Sequence, residues 1–514
     1  MMKKIYIYLL TALTITTTSC DMDYEPEYDM VTAYFYETEE DLDAAISGAY
    51  KDFTYHTMMN HYFYQFLMGD DLSTRTGKTF RINVDAFNAP TDEADAFYKK
   101  TWREYWHAIY NVNTFLAESA DAEVSPEMLM EKTAQMRFLR GYAYLVLARN
   151  FGSVPLITTP QTDGSDLRAS TVDIYKLIEE DFQYVVEHSR DNYGADIGRP
   201  TTWAGKAGLT YLYISWAGWP VKDNSKYELA RQYAQEIVNG PFSLDVDADG
   251  DEDTDDFAAL WNNNEMYDAN GESIFEFMFS AAEVESGVSS LGPMLAQGMF
   301  PEDLSTGDNA PGWQDHNAEI GFYNRYPDTD PRKEITFLTE WPSADNNGNV
   351  VSFENSRYKK PTYKKWTSIA QKVGDQNVMF RNLMVFRYAD LLLLYAEAEA
   401  EVNGPGAAAY DAVNMVRSRA GVADLTPGLG KAEFIDAVLN ERMLELAGEG
   451  PRFWDLQRRE MLGVANASNL KDANDIMPLG DPNDPANWTF PIPQQEISLN
   501  PKLQQYFDAA TMAK

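Results

Sequence analysis

The chain has 514 residues, with 80 acidic against 42 basic side chains and a formal net charge of −38. That balance excludes nucleic-acid binding, which needs clustered Lys and Arg against phosphate, and an apolar content of 44% excludes disorder. A single cysteine excludes a disulfide framework, so packing must supply the stability, as a chain of this length allows.

Lys3 and Lys4 precede an apolar run from Ile5 to Ile15, which has the length of a secretory signal core and is too short to span a bilayer. Thr17-Thr18-Ser19-Cys20 follows. The lone cysteine directly behind an export signal predicts residues 1–19 as a lipoprotein signal peptide and Cys20 as the lipidated first residue of the mature chain. The alternative is an ordinary secretory signal with a cysteine nearby. Asp21, Asp23, Glu25 and Glu27 make residues 20–36 an acidic tether, broken by Pro26. A lipid plus such a tether would hold a globular part just off a membrane.

From residue 37 onward the pattern is mainly helical. Thr38 with Asp41 three residues on forms a helix-opening pair, and Leu42, Ala45, Ile46, Ala49, Tyr50 and Phe53 then share one face. Further helices are predicted over about Asp95–Ser119, Pro126–Asn150, Ser170–His188, Thr201–Trp216 and Tyr227–Asn239. Late in the chain they are predicted over Arg387–Val402, Ala407–Ala420 and Lys431–Leu446. The pair around Gly404-Pro405-Gly406 spans about 34 residues, the tetratricopeptide period. Its Ala396, Ala400, Ala408 and Ala412 recur at fourth positions, which lets helices approach closely. The other pairs do not keep that period, which predicts degenerate helix-turn-helix repeats. Segments 54–94, 241–300 and 301–380 have no helical rhythm, although Ser273–Phe279 alternates as a strand does. The predicted architecture is a mainly α, tetratricopeptide-like scaffold over about 37–240 and 381–460, carrying an irregular, loop-rich ligand-binding lobe over about 241–380.

Asp245, Asp247, Asp249, Gly250, Asp251, Asp253 and Asp256 match the start of a calcium loop, with oxygens at positions one, three and five and glycine at the sharp turn. Position twelve is Asp256 instead of the bidentate Glu. A structural Ca²⁺ is the expectation, a solvated acidic loop the alternative. His56, His61, His107, His188 and His316 show no metal-protease spacing, and no nucleophile elbow, phosphate loop or dinucleotide fingerprint occurs. Paired carboxylates are unavoidable among 80 acids, so they do not argue for glycosidase chemistry. Arg442, Glu445, Arg452, Asp455 and Arg458 are expected to form an ion-pair network locking the last helix onto the scaffold.

Several blocks resemble one family. Phe386-Arg387-Tyr388-Ala389-Asp390 with Leu391–Ala398, then Ala412–Gly421, Glu441–Leu446, Gly450–Leu456 and Pro491–Ile497 with Asn500-Pro501 resemble SusD/RagB-type outer-membrane lipoproteins, in the family's order. Gly198-Arg199-Pro200-Thr201, leading into Gly205-Lys206-Ala207, is similar to the start of another family helix. The acidic leader after Cys20 resembles the surface-export signal of Bacteroidetes lipoproteins. The resemblance implies tetratricopeptide-like helices with an irregular binding lobe. It implies a lid over a SusC-like TonB-dependent transporter barrel, capture of nutrients, usually oligosaccharides and sometimes peptides, and no catalysis.

A sugar ring offers apolar faces to flat aromatic side chains and a hydroxyl rim to Asn, Asp, Gln and Arg. Candidates in the irregular segments are Asp70, Asp71, Arg75, Phe80, Phe87, Trp313, Gln314, Asp315, Tyr323, Asn324, Trp341 and Trp366. Trp313 is the first choice, because Pro311-Gly312 before it and polar residues after it suggest an exposed loop. The alternative for any one aromatic is core packing. The leading function is glycan binding for uptake. Binding of peptides or other nutrients, a surface glycosidase, and a scaffold for proteins alone are the competing functions.

Overall fold

Thr38 opens the first helix through a reciprocal cap: its N–H donates to Asp41 Oδ2 at 2.9 Å, and Asp41 N–H donates back to Thr38 Oγ1 at 3.3 Å. The computed structural model describes residues 36–57, 65–75, 77, 79–88, 92–194, 197–246, 254–262, 271–278, 298–305, 311–367, 371–373, 376–378 and 382–504. The signal peptide, Cys20 and all of the acidic tether but its last residue therefore lie outside the described residues. So do Asp247, Asp249, Asp251 and Asp253.

The helices are α1 (Glu39–Thr57), α2 (Thr79–Asp85), α3 (Asp92–Glu118), α4 (Pro126–Phe151), α5 (Thr171–His188), α6 (Thr202–Ala217), α7 (Lys226–Val238) and α8 (Thr254–Asn262). After the lobe come α9 (Tyr388–Asn403), α10 (Ala407–Arg419), α11 (Lys431–Glu445) and α12 (Pro451–Arg458). Their starts follow the residues that satisfy the first free N–H groups. Ser125 Oγ accepts Met128 N–H, Ser170 Oγ accepts Asp173 N–H and Thr201 Oγ1 accepts Ala204 N–H. Gly152, with φ 68°, stops α4 in a backbone region that glycine enters without strain.

Each long helix packs on the next: α3 on α4, α4 on α5, α5 on α6, and α6 on α7. α7 then packs against α9, not against the segment that follows it. Residues 239–387 are thus an excursion between two neighbouring helices of one stack. α4 lies in the middle and is buried around most of its circumference, with its buried Arg140 and Arg149 held by Asp181 and Ser215. Phe182 of α5 inserts where α4 and α6 carry glycine: a Cβ on Gly208 would lie 2.8 Å from its ring, and one on Gly141 3.1 Å.

The excursion takes part in two-stranded antiparallel ribbons, one of them with a strand from the N-terminal part of the chain. Strands β1 (Leu72–Ser73) and β3 (Asn317–Ala318) pair, as do β2 (Ser273–Phe277) and β10 (Leu383–Arg387). So do β4 (Phe337–Leu338) with β7 (Thr362–Tyr363), β5 (Glu340–Pro342) with β6 (Val350–Ser352), and β8 (Gln371–Val373) with β9 (Gln376–Val378). The predicted strand at 273 is present, but its partner is Leu383–Arg387, which delivers the chain into α9. Segment 54–94, predicted to be irregular, contains α2 and the first turn of α3. Its hydrophobic period was hidden because α2 is only two turns long.

The expected ion-pair network is present and is larger than the sequence suggested. Arg442 Nε pairs with Asp455 at 2.7 Å and its Nη1 with Asp390 at 2.5 Å. Arg458 bridges Asp455 and Glu397, and Arg452 grips both oxygens of Asp70 at 2.7 and 2.9 Å. Glu445 belongs to a second cluster beneath the lobe, with Arg387, Arg419 and Arg332 at 2.8, 2.5 and 3.0 Å. Among the described residues no helix is long and apolar enough to cross a membrane.

Candidate functional site

The β1–β3 ribbon brings together two stretches that the sequence separates by more than two hundred residues. Arg75, just past β1, reaches Glu302 at 2.5 Å and Asp315 Oδ1 at 3.1 Å, and donates to the Tyr358 hydroxyl at 2.6 Å. Arg81 of α2 pairs with the same Asp315, and Arg357 lies 3.4 Å from Glu302. Tyr358 in turn donates to Glu302. The guanidinium of Arg75 also lies 5.4 Å from the centre of the Tyr358 ring. Burial opposes the Glu302 charge, yet the Tyr358 hydroxyl and Arg75 hold its carboxyl below the ordinary range.

Segment 311–318 is sewn to segment 298–302. Gly312 N–H donates to Pro301 O at 2.9 Å, Gln314 N–H to Phe300 O at 3.0 Å and His316 N–H to Gly298 O at 3.0 Å. Gln314 adopts φ 48°, a conformation that costs a non-glycine residue energy and is held here by those bonds. The result fixes Asp315 inward on Arg75 and leaves Trp313 half-buried between exposed Pro311 and buried Gln314. Trp313 thus keeps part of its indole surface in water, two residues from the buried Asp315 carboxylate.

The predicted site residues separate into three groups. Arg75 and Asp315 come together, as above, and Trp313 is half-buried two residues along the chain from Asp315. Tyr323 is half-buried and Asn324 exposed; Tyr323 lines a different cavity of about 700 Å³ with Lys333, Glu334, Glu340 and Lys364. Lys333 Nζ lies 4.6 Å from the Tyr323 ring centre. The third group is a correction: Asp70, Asp71, Phe87, Gln314, Trp341 and Trp366 are buried and present no face to a ligand. Trp341 donates from Nε1 to Asp303 at 2.9 Å and Trp366 to Gly448 O at 3.0 Å, so both are framework. Phe80 is in α2, and its side chain lies outside the described residues. Glu302, Tyr358, Arg357 and Arg81 were not singled out in the sequence, because nothing local marks them.

Asp71 illustrates the difference between buried and available acid. Burial first, then the charge of Asp70, push its carboxyl up to about 6, against the Gly448 N–H and Arg452. Ionised Asp71 therefore costs the fold stability at neutral pH, a cost that begins to shrink as pH falls through about 6 and is gone only below about pH 3.9. Asp71→Asn keeps an acceptor for Gly448 N–H and is expected to stabilise by about 2–3 kcal/mol at pH 7.5 and by well under about 1 kcal/mol at pH 4. Melting temperatures of both proteins at the two pH values check this.

Of the calcium-loop carboxylates, Asp245 and Asp256 are described. Asp256 is buried in the first turn of α8, where its Oδ1 accepts Val246 N–H. Among the described residues no group of three or more His, Cys, Asp or Glu side chains is arranged to hold a metal ion.

Two family models match the chain. One, described as the SusD family, covers residues 242–508, and one described as starch-binding associating with outer membrane covers residues 22–214. A SusD-like protein of Formosa agariphila is 25% identical, with 97% of each chain covered. One of Bacteroides ovatus is 24% identical over 89% of this chain and 82% of its own. Among solved structures, a SusD homologue from Bacteroides thetaiotaomicron superposes with a TM-score of 0.75 at 24% identity, covering 92% of this chain and 97% of that one. A surface glycan-binding protein A from the same organism, in complex with laminarihexaose, superposes with a TM-score of 0.73 at 21% identity, covering 90% and 97%.

Proposed function

Because this chain belongs to the SusD family, we propose that it is a surface lipoprotein that captures oligosaccharides for a TonB-dependent outer-membrane transporter of SusC type. The observation that carries the reading is the rim of charge-assisted donors and acceptors formed by Arg75, Glu302, Arg357 and Tyr358, with the half-buried Trp313 two residues along the chain from Asp315, the partner of Arg75. Relatives described as a laminarin-binding SusD-like protein and as a surface glycan-binding protein bound to laminarihexaose support the same ligand class. Binding, not bond cleavage, is the activity this surface favours. Its paired carboxylate Glu302 is held ionised by Arg75 and Tyr358, the opposite of what a general acid requires. Cys20 is the proposed site of lipid attachment. It would tether the protein to the outer membrane facing outward, where the transporter lies beneath it.

The test is a panel of soluble polysaccharides cast into native gels, with the purified mature protein run through each. Retardation by one or more glycans, without release of reducing sugar, is the expected result. Retention of peptides alone, or steady product formation, replaces this reading with one of its competitors. A structural calcium ion in the Asp245–Asp256 loop is the second part of the proposal. Millimolar calcium should raise the melting temperature, and no shift removes the ion.

A further inference from the structure

The charged side chains around Arg75 balance in number: Arg75, Arg81 and Arg357 face Glu302, Asp315 and Asp345. Lys359 and Glu354, both exposed, add one charge of each sign. The balance fails in exposure. The side chains of Arg75 and Arg81 keep only 11% and 12% of their surface in water, whereas Glu302 keeps 32% and Asp345 49%. Arg357 keeps 42%, yet its Nε and Nη2 donate to the two oxygens of Asp345 at 3.0 and 2.8 Å, and its Nη1 lies 3.4 Å from Glu302. The three guanidiniums are therefore committed to carboxylates of the protein itself. What this rim offers to a ligand is mainly carboxylate oxygen.

One of those oxygens is open. Arg75 Nη1, the Tyr358 hydroxyl and Arg357 Nη1 all approach Oε2 of Glu302. Glu302 Oε1 has no hydrogen-bond partner among the described residues and is not sealed from water. An ionised carboxylate accepts hydrogen bonds and cannot donate them. A sugar hydroxyl satisfies Oε1 by donating to it. A carboxylate or sulfate on the ligand has no proton to give, and it would meet the like charges of Glu302 and Asp345 instead. The net charge of −38 acts in the same direction at longer range.

We infer that this rim selects neutral glycans over acidic ones, and that Glu302 is the residue that determines the choice, its Oε1 accepting a hydroxyl of the sugar. The selection rests on glycan capture as proposed above and adds to it the class of glycan taken.

The experiment takes every polysaccharide of the native-gel panel, laminarin, amylopectin and mannan among them, and runs it beside a counterpart whose primary alcohols have been oxidised to carboxylates. At about 20 mM salt, where screening is weak, a retained native glycan should bind at least about tenfold more tightly than its oxidised form. The gap should narrow at about 0.5 M salt, which separates an effect of charge from loss of the primary hydroxyl. Glu302→Gln, with its melting temperature measured alongside, should bind the native glycan about tenfold more weakly and prefer it by about twofold or less. The comparison on the parent protein stands whether or not this variant folds. Equal or tighter binding of the oxidised form by the parent, or a gap indifferent to salt, would overturn the inference and leave glycan capture standing. Full preference in a normally melting Glu302→Gln would also overturn it. Retention of no polysaccharide in either form would remove glycan capture and this selection together.

Discussion

Glu445→Gln is expected to lower stability by about 3–5 kcal/mol, the cost typical of leaving a buried ion without its partner. Its carboxylate lies at the centre of a cluster in which Arg332, Arg387, Arg417, Arg419 and Lys365 face Glu272, Glu441, Glu445, Glu449 and Asp330, five against five. Removing one negative charge leaves an uncompensated positive charge where water does not reach. Burial alone would push the Glu445 carboxyl up, but the guanidiniums of Arg419, Arg387 and Arg332 hold it well below the usual carboxylate range. The sign of the pH dependence follows. A depressed folded value means that this contribution is complete above about pH 4.3 and is lost only in stronger acid. The variant's deficit should therefore be full at pH 7 and shrink below about pH 4. Urea unfolding of both proteins across that range measures it. The cluster joins α10 and α11 of the scaffold to Arg332 of the lobe and Arg387 at the end of β10, so the variant should also expose the lobe to proteolysis first.

Gly312→Ala is expected to abolish glycan binding more completely than removal of the indole itself. A Cβ at residue 312 would lie 2.1 Å from Phe300 O and 2.4 Å from Phe300 Cβ, so no side chain fits without separating segment 311–318 from segment 298–302. That separation breaks the bonds from Gly312 N–H to Pro301 O and from Gln314 N–H to Phe300 O. It moves Asp315 away from Arg75 and displaces Trp313 in the same segment. Overpacking of this kind costs about 1–3 kcal/mol, which the stable scaffold should survive. The helix signal in circular dichroism should be retained while oligosaccharide affinity disappears. Unchanged affinity would mean that this backbone junction does not shape the site.

The helices were legible because each carries its own evidence. Ser170 with Asp173 and the face from Leu42 to Phe53 are local patterns, and local patterns are what a sequence displays. Arg442, Asp455 and Arg458 could be recognised as partners because they fall within two turns of one another or in adjoining motifs. Glu272, Arg332 and Asp390 could not, since nothing in their neighbourhoods announces a partner more than fifty residues away. The site divides in the same way. Trp313 stood out through Pro311-Gly312, but Glu302 is 227 residues from Arg75 and Tyr358 is 283, so only the fold brings them together. Trp341 and Trp366 misled because composition cannot tell an aromatic that serves a ligand from one that caps Asp303 or Gly448. α8 was overlooked because its first turn, Thr254-Asp255-Asp256, reads as the end of an acidic loop.

The most direct measurement is a calorimetric titration of the glycan retained best in the native gels, as its hexaose, into the parent protein and Trp313→Ala, with melting temperatures taken alongside. The parent should bind with a Kd on the order of micromolar to millimolar. Trp313→Ala should bind at least about tenfold more weakly, in line with one lost stacking contact and its buried area, at an unchanged melting temperature. Equal affinities for the two proteins, or no saturable heat from the parent, would contradict the assignment of this lobe surface to sugar.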